Sequence, residues 1–323
     1  MEIRPLQKEN IPAAAALFVA GFKQLRQAVQ QLPDRMEDPL IVSSLLERLL
    51  SHSKGMAAFT DGRLIGYIGW WLVEGFRGTG RKAGYVPEWA HATIEEHKPA
   101  IYRHLYRAAA DCWSDAGCDM HAITLLASDQ TAVDTWFWNG FGLTVVDAIR
   151  SIGPLSFETG RALVVPPGYT VRKASLADTE ALSELEKEHA RHYSQSPVLM
   201  VPFKPNDASE YRRFLIHSTN YAWLAFKDGE PAGYLRFQAK GDGAAEIVHG
   251  SGSIANTGAY VRPVHRGFGL ASLMLEAALA DFSSKGFQRC SVDFESFNPE
   301  AVSFWLRYFR PVCLSVFRVP EAI

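Results

Sequence analysis

Ala259-Tyr-Val-Arg-Pro-Val-His-Arg-Gly-Phe-Gly-Leu-Ala-Ser-Leu-Met-Leu-Glu276 is the stretch whose reading decides the fold. Tyr260 and Val261 favour an extended backbone and Pro263 ends the run, so the stretch opens as a strand. It turns through Arg266-Gly-Phe-Gly-Leu-Ala271 and continues as a helix, with Leu270, Leu273, Met274 and Ala277 returning to one face at helical spacing. Two glycines at a helix entry permit a tight turn and leave amide N–H groups unpaired. Together with the positive end of the helix dipole, those donors suit an anionic oxygen group, and Arg266 adds a fixed cation. The natural ligand of such a strand, loop and helix is a phosphate or pyrophosphate.

A plain glycine turn would account for Gly267-x-Gly269 taken alone. A dinucleotide fingerprint would place a third glycine or alanine at Ser272, and a ribose-binding acid roughly twenty residues on, where Asp293 stands. Only about fifty residues follow the loop, too few for a doubly wound domain. Arg266-x-x-Gly269-x-Ala271 resembles the acetyl-coenzyme A pyrophosphate loop of the GCN5-related N-acetyltransferases, the GNAT family. The residues beyond the loop favour that third reading.

The chain has 323 residues, 47% of them hydrophobic, which is the composition of one large or two ordinary globular domains. A formal net charge of -2 offers no broad basic field, so nucleic acid is not expected as a partner. Cys112, Cys118, Cys290 and Cys313 form no Cys-x-x-Cys pair, which points to free thiols in a reducing compartment. The N-terminus lacks a signal pattern, and no apolar run approaches the ~18 residues of a membrane span. A cytoplasmic protein with no membrane association is expected. His189 and His192 lie three apart on a helical pattern, but no third ligand is near; solvent-facing side chains and no metal are expected.

Read in order, the chain repeats itself. The first half shows a strand at Glu2–Leu6, helices at Ala13–Val29 and Ile41–Leu50, and a hairpin turning at Asp61-Gly62. A strand near Tyr85-Val86, a helix from Pro99, a strand from His121, a helix from Asp129 and a strand from Leu143 follow. Proline and glycine then punctuate a linker, after which the order restarts. Tyr169 opens a strand, Ser175 to Asp178 cap a helix over Thr179–Tyr193, and a second hairpin turns at Asp228-Gly229. The turns are offset by 167 residues, Tyr85-Val86 is matched to Tyr260-Val261, and Ala132 and Trp136 precede Ala301 and Trp305 by 169. A period this long marks a duplicated domain. The expected divisions are 1–155, a linker at 156–167, and 168–323.

Beyond the loop helix, Arg289–Glu295 reads as a strand with Asp293 and Glu295 on one face. Either that face opens into a cleft, or the acids are solvated or paired with Arg289 or Arg307. Asn298-Pro299 is a helix start, followed by Ala301, Trp305, Tyr308 and Phe309. This order of strand, loop, helix, strand and capped helix again resembles the GNAT family, now across residues 168–323. The resemblance implies an α/β (α+β) fold of two tandem acyl-CoA N-acyltransferase-like domains, each a mixed twisted sheet flanked by helices. It implies acetyl-CoA as co-substrate, held by Tyr260, Val261, Arg266, Gly267, Phe268, Gly269, Leu270, Ala271 and Asn298. The activity implied is acetyl transfer to a primary amine, from a small molecule or a peptide. Glu246, Asp293 and Glu295 are candidates for the base. Trp305 stands where the family's acid tyrosine is usual and cannot serve as one, so Tyr308, one turn on, is the candidate acid. The first half has Trp89-Ala-His-Ala-Thr-Ile-Glu-Glu where the loop belongs and resembles a degenerate copy, left to grip the acceptor or to form a homodimer. A coenzyme A sensor or scaffold without turnover is the alternative that Trp305 supports.

Overall fold

The computed structural model describes residues 1–156, 160 and 163–321. Part of the expected linker, at 157–159 and 161–162, and the last two residues lie outside the described residues. Two compact units emerge.

The first unit comprises Met1–Asp147, Ala245–Gly250 and Pro311–Ile323. Its elements are β1 (Glu2–Pro5), α1 (Ile11–Ala28), α2 (Pro39–His52), β2 (Lys54–Thr60), β3 (Arg63–Val73), β4 (Ala83–Val86), β5 (His91–Thr93), α3 (Lys98–Asp115), β6 (Met120–Leu126), α4 (Gln130–Trp138) and the start of β7 (Gly142–Ser151). Asp61 and Gly62 both adopt positive φ between β2 and β3, the geometry a two-residue hairpin requires. The sheet runs β1-β2-β3-β4-β6, and β5 pairs with β3. Trp70, Trp113, Trp136, Tyr67 and Tyr102 fill the core.

The second unit comprises Ala148–Ala244 and Ser251–Arg310. After the end of β7 come β8 (Tyr169–Lys173), α5 (Thr179–Tyr193), α6 (Ala208–Ile216), β9 (Tyr221–Lys227), β10 (Glu230–Gln238), β11 (Ser253–Val261), α7 (Leu270–Ser284), β12 (Arg289–Glu295) and α8 (Pro299–Tyr308). The sheet order is β12-β11-β10-β9-β8. Asp228 and Gly229 repeat the positive-φ hairpin turn. Helix α7 buries Leu270, Leu273 and Met274 as its spacing predicts; Ala278 and Phe282 complete the face, and Ala277 sits at its edge. Phe282 packs edge-on against Trp223 and Phe237 at 5.3 and 5.1 Å, which fixes the helix on the sheet.

The compact units do not follow the expected boundaries. From Ala148 onward β7 belongs to the second unit, and β13 (Arg310–Arg318) belongs, from Pro311, to the first. There β13 pairs antiparallel with β6, from Cys313 opposite Leu126 to Arg318 opposite His121. The end of β7 thus joins the second unit, and nearly all of β13 joins the first. Both strands are apolar runs of similar length, and such strands are interchangeable in a hydrophobic pattern.

Gly84 on β4 lies beneath the Trp113 ring, where a Cβ would meet ring atoms at 2.5 Å. Trp113 is fully buried and cannot retreat. We expect Gly84→Ala to cost about 1–3 kcal/mol through overpacking. Urea denaturation checks this: the midpoint should fall while the slope stays unchanged.

Candidate active site

Strands β11 and β12 run parallel and pair only from Ser253 opposite Arg289 to Asn256 opposite Val292. β11 continues to Val261 and β12 to Glu295 without further pairing, so a wedge opens between them. The divergence begins at a bulge. Arg236 of β10 faces Gly258 and Phe237 faces Asn256, leaving Thr257 as the extra residue. Arg236 holds that residue: Nη2 donates to the Thr257 carbonyl at 2.7 Å and Nε to its hydroxyl at 3.2 Å. Its Nη1 pairs with buried Glu186 of α5 at 2.7 Å. Breaking a buried pair of this kind leaves an uncompensated charge, so the bulge is firmly set.

Beyond the bulge β11 stays on β10, and the Arg262 N–H donates to the Ala232 carbonyl at 2.9 Å. Antiparallel ladders alternate, so Tyr260 and Gly258 address β10 while the main-chain groups of Ala259 and Val261 address the wedge. The chain then reaches Gly267 and Gly269, with φ of +83° and +76°. A Cβ at either would meet nothing within 4 Å, so both glycines are there for conformation and open approach. The first bond into α7 runs from the Leu273 N–H to the Gly269 carbonyl. Every amide from Gly267 through Ser272 therefore lacks an acceptor among the described residues. Free amide donors at a helix entry suit an anionic oxygen group.

The structure brings most of the expected residues to this wedge. Tyr260, Val261 and the loop from Arg266 to Ala271 form one side. Asp293 and Glu295, both half-buried, lie on the end of β12 that β11 does not reach. Asn298 caps α8 by accepting from the Ala301 N–H at 3.3 Å and is buried beside them. Tyr308 is buried, and its hydroxyl lies 2.9 Å from Ser272 Oγ in the first turn of α7. Trp305 is buried against Phe304 and Phe309.

Glu246 is placed elsewhere. Its segment clusters with the first unit, where Arg35 Nη2 donates to its carboxylate at 2.7 Å. Sequence proximity to β11 suggested a site residue; the chain instead detours at Ala245–Gly250.

His189 corrects a further expectation. It is not solvent-facing but buried, stacked on Tyr260 at 5.5 Å, and its Nδ1 lies 3.0 Å from the Tyr234 hydroxyl. Tyr193, one turn on, donates to Glu295 at 3.0 Å and orients that carboxylate. Arg236, Glu186, His189, Tyr193 and Ser272 were not legible as site residues. The Leu182, Leu185, Glu186, His189 spacing on α5 is the signal that could have placed its polar side chains inward.

The first unit lacks this construction, for a reason different from the one expected. β5 pairs Thr93 with Gly66 and Tyr67 with Ala92, as β10 pairs Gly233 with Val261 and Tyr234 with Tyr260. Ile94 donates to Ile65 as Arg262 does to Ala232. The counterpart of Tyr260-Val261 is therefore Ala92-Thr93, not Tyr85-Val86, and Trp89 to Ile94 is a short 3-10 turn followed by strand β5 and its end rather than a phosphate loop. Three residues lead from Ile94 to the helix cap His97, whereas seven lead from Arg262 to Gly269. The phosphate loop is missing outright. In its place Lys98 is buried, with Nζ on Glu95 at 2.9 Å and on Asp129 at 2.6 Å.

Burial holds His189 down to about 3, and His91 and His121 down to about 4, against an ordinary value of 6.5. In an unfolded chain these rings take up protons below 6.5, so the folded state binds fewer and loses stability as pH falls from 6.5 toward 3–4. We expect His189→Leu to lower the pH dependence of stability in this window by about one proton, as read from denaturation at pH 7 and pH 4.5.

Among the described residues no helix is long and apolar enough to cross a membrane, and no group of three or more His, Cys, Asp or Glu is placed to hold a metal. Residues 182–309 match the model of the acetyltransferase (GNAT) family. No curated protein matches the sequence. A solved GCN5-related N-acetyltransferase from Sphaerobacter thermophilus is 14% identical with a TM-score of 0.60, the match covering 100% of this chain and 96% of that one. A GCN5-related glucosamine N-acetyltransferase region in a fungal multi-domain GH3 β-N-acetylglucosaminidase is 13% identical with a TM-score of 0.54, covering 98% and 38%. A tandem GNAT protein from the clavulanic acid biosynthesis pathway is 15% identical with a TM-score of 0.49, covering 98% and 97%. The open wedge, its amide cradle and the family match coincide in the second unit: residues 182–309 are a GNAT-family domain, set in a chain that repeats the GNAT fold twice.

Proposed function

We propose that the second unit transfers an acetyl group from acetyl-coenzyme A to a primary amine. The observation that carries this reading is the run of unpaired amides from Gly267 to Ser272, set at the end of the open edge of β11. The fold implies acyl-coenzyme A as the donor, which supplies an activated thioester. Arg266 and the loop amides hold the pyrophosphate, and the wedge-facing groups of Ala259 and Val261 align the pantetheine arm. A strand amide on that edge polarises the thioester carbonyl. Asp293 and Glu295 draw in a cationic amine and accept the proton it must lose before attack. Carbon–nitrogen bond formation expels the thiol sulfur, which takes a proton; Tyr308 is the proposed donor.

A second reading is coenzyme A binding without turnover. The burial of Tyr308 and Trp305 favours it, because the Tyr308 hydroxyl is turned to Ser272.

Calorimetric titration with acetyl-coenzyme A tests both. We expect saturable binding at one site per chain, lost in Gly269→Glu, whose side chain would add a negative charge and strain a positive φ. Binding without thiol release on any amine would favour the second reading. For the enzyme, Asp293→Asn or Glu295→Gln should lower kcat/KM by about 10²–10⁴ at whichever position is the base, with coenzyme A affinity retained. Thiol release measured across pH checks this.

A further inference from the structure

The loop cation of the second unit is already engaged. Arg266 Nη1 donates to Glu300 in the first turn of α8 at 2.7 Å. Its Nε donates to the Val261 carbonyl at 3.0 Å, one of the groups that address the wedge. Arg266 leaves the β11 side and Glu300 follows the β12 side, so the pair spans the mouth of the wedge. We propose that Glu300 is an internal stand-in for the pyrophosphate: it draws Arg266 across the entrance, and coenzyme A enters by exchanging its phosphates for that carboxylate. The inference rests on the reading of the loop as a coenzyme A site.

The chemistry of the exchange is matched. Both competitors are oxyanions that accept from the same guanidinium, and arginine pairs with either. When Arg266 moves to the pyrophosphate, the Val261 carbonyl becomes available to the pantetheine amide. Side-chain exposures of 30% for Arg266 and 46% for Glu300 place the pair within reach of solvent. Such pairs are weak, so the latch lowers cofactor affinity modestly and opens readily. Glu300 is thus a positioning residue that acts through Arg266. A role confined to stabilising the α8 N-terminus through the helix dipole would move stability and leave affinity unchanged.

The test is calorimetric titration of the full chain with coenzyme A, in wild type, Glu300→Gln, Arg266→Ala and the double variant. Glu300→Gln should tighten binding roughly two- to five-fold, the range an exposed ion pair allows, and lower KM for acetyl-coenzyme A without changing kcat. In the Arg266→Ala background the same substitution should leave affinity unchanged. Equal tightening in both backgrounds would mean simple repulsion between Glu300 and the phosphates, and would overturn the latch. Unchanged or weaker binding by Glu300→Gln alone would overturn it too. Absence of saturable binding by wild type would take down both the latch and the coenzyme A reading.

Discussion

The site in the second unit depends on one event, the end of pairing between β11 and β12 after Asn256 and Val292. A parallel pair ordinarily continues for as long as both strands last. Here the extra residue Thr257 bends β11 away, and Arg236 with Glu186 fixes the bend from the far side. The candidate site lies downstream of it. The open edge at Ala259 and Val261, the acids on the end of β12 that β11 does not reach and the glycine loop all follow the point where the ladder stops. An arginine carbonyl clamp is an economical device, since its guanidinium satisfies a main-chain acceptor that would otherwise be stranded in the bulge.

The two units show the same frame with and without a site. The first unit keeps the hairpin, the strand that follows it and the capped helix, yet it lacks the residues that would form a phosphate loop. Lys98 fills the place with an internal charge, answered by Glu95 and Asp129. A buried lysine so paired resists exchange, because removing either partner leaves the other unsatisfied. His97 takes the left-handed cap that Gly269 takes in the second unit, with φ of 59°.

The sequence made the architecture legible wherever local chemistry sets local shape. The paired Asp-Gly turns, the Thr179–Tyr193 helix and the Gly267 to Ala271 loop were readable because turn geometry, capping and glycine conformations are written in adjacent residues. Less legible was anything decided by long-range pairing. Tyr85-Val86 looked like the partner of Tyr260-Val261 by residue type, but the ladder register assigns that place to Ala92-Thr93. Glu246 looked like a site acid because it precedes β11, and Arg35 holds it in the other unit. His189 looked exposed because α5 carries many charges, and its buried face became visible only against Tyr260 and Tyr234.

The placement of β13 in the first unit carries a consequence for biosynthesis. Thr124 of β6 lies 2.8 Å from Ser315 of β13, across 191 residues of chain. A ribosome releases the N-terminal half first, and domains commonly fold as they emerge. Here the first unit cannot complete its sheet until β13 has left the exit tunnel. Throughout that interval the edge of β6 offers unpaired N–H and C=O groups to any neighbouring chain, the hazard that exposed edges present. The first unit therefore keeps an open edge at β6 until the residues of β13 have been made, and that edge has to be shielded while the second unit is translated.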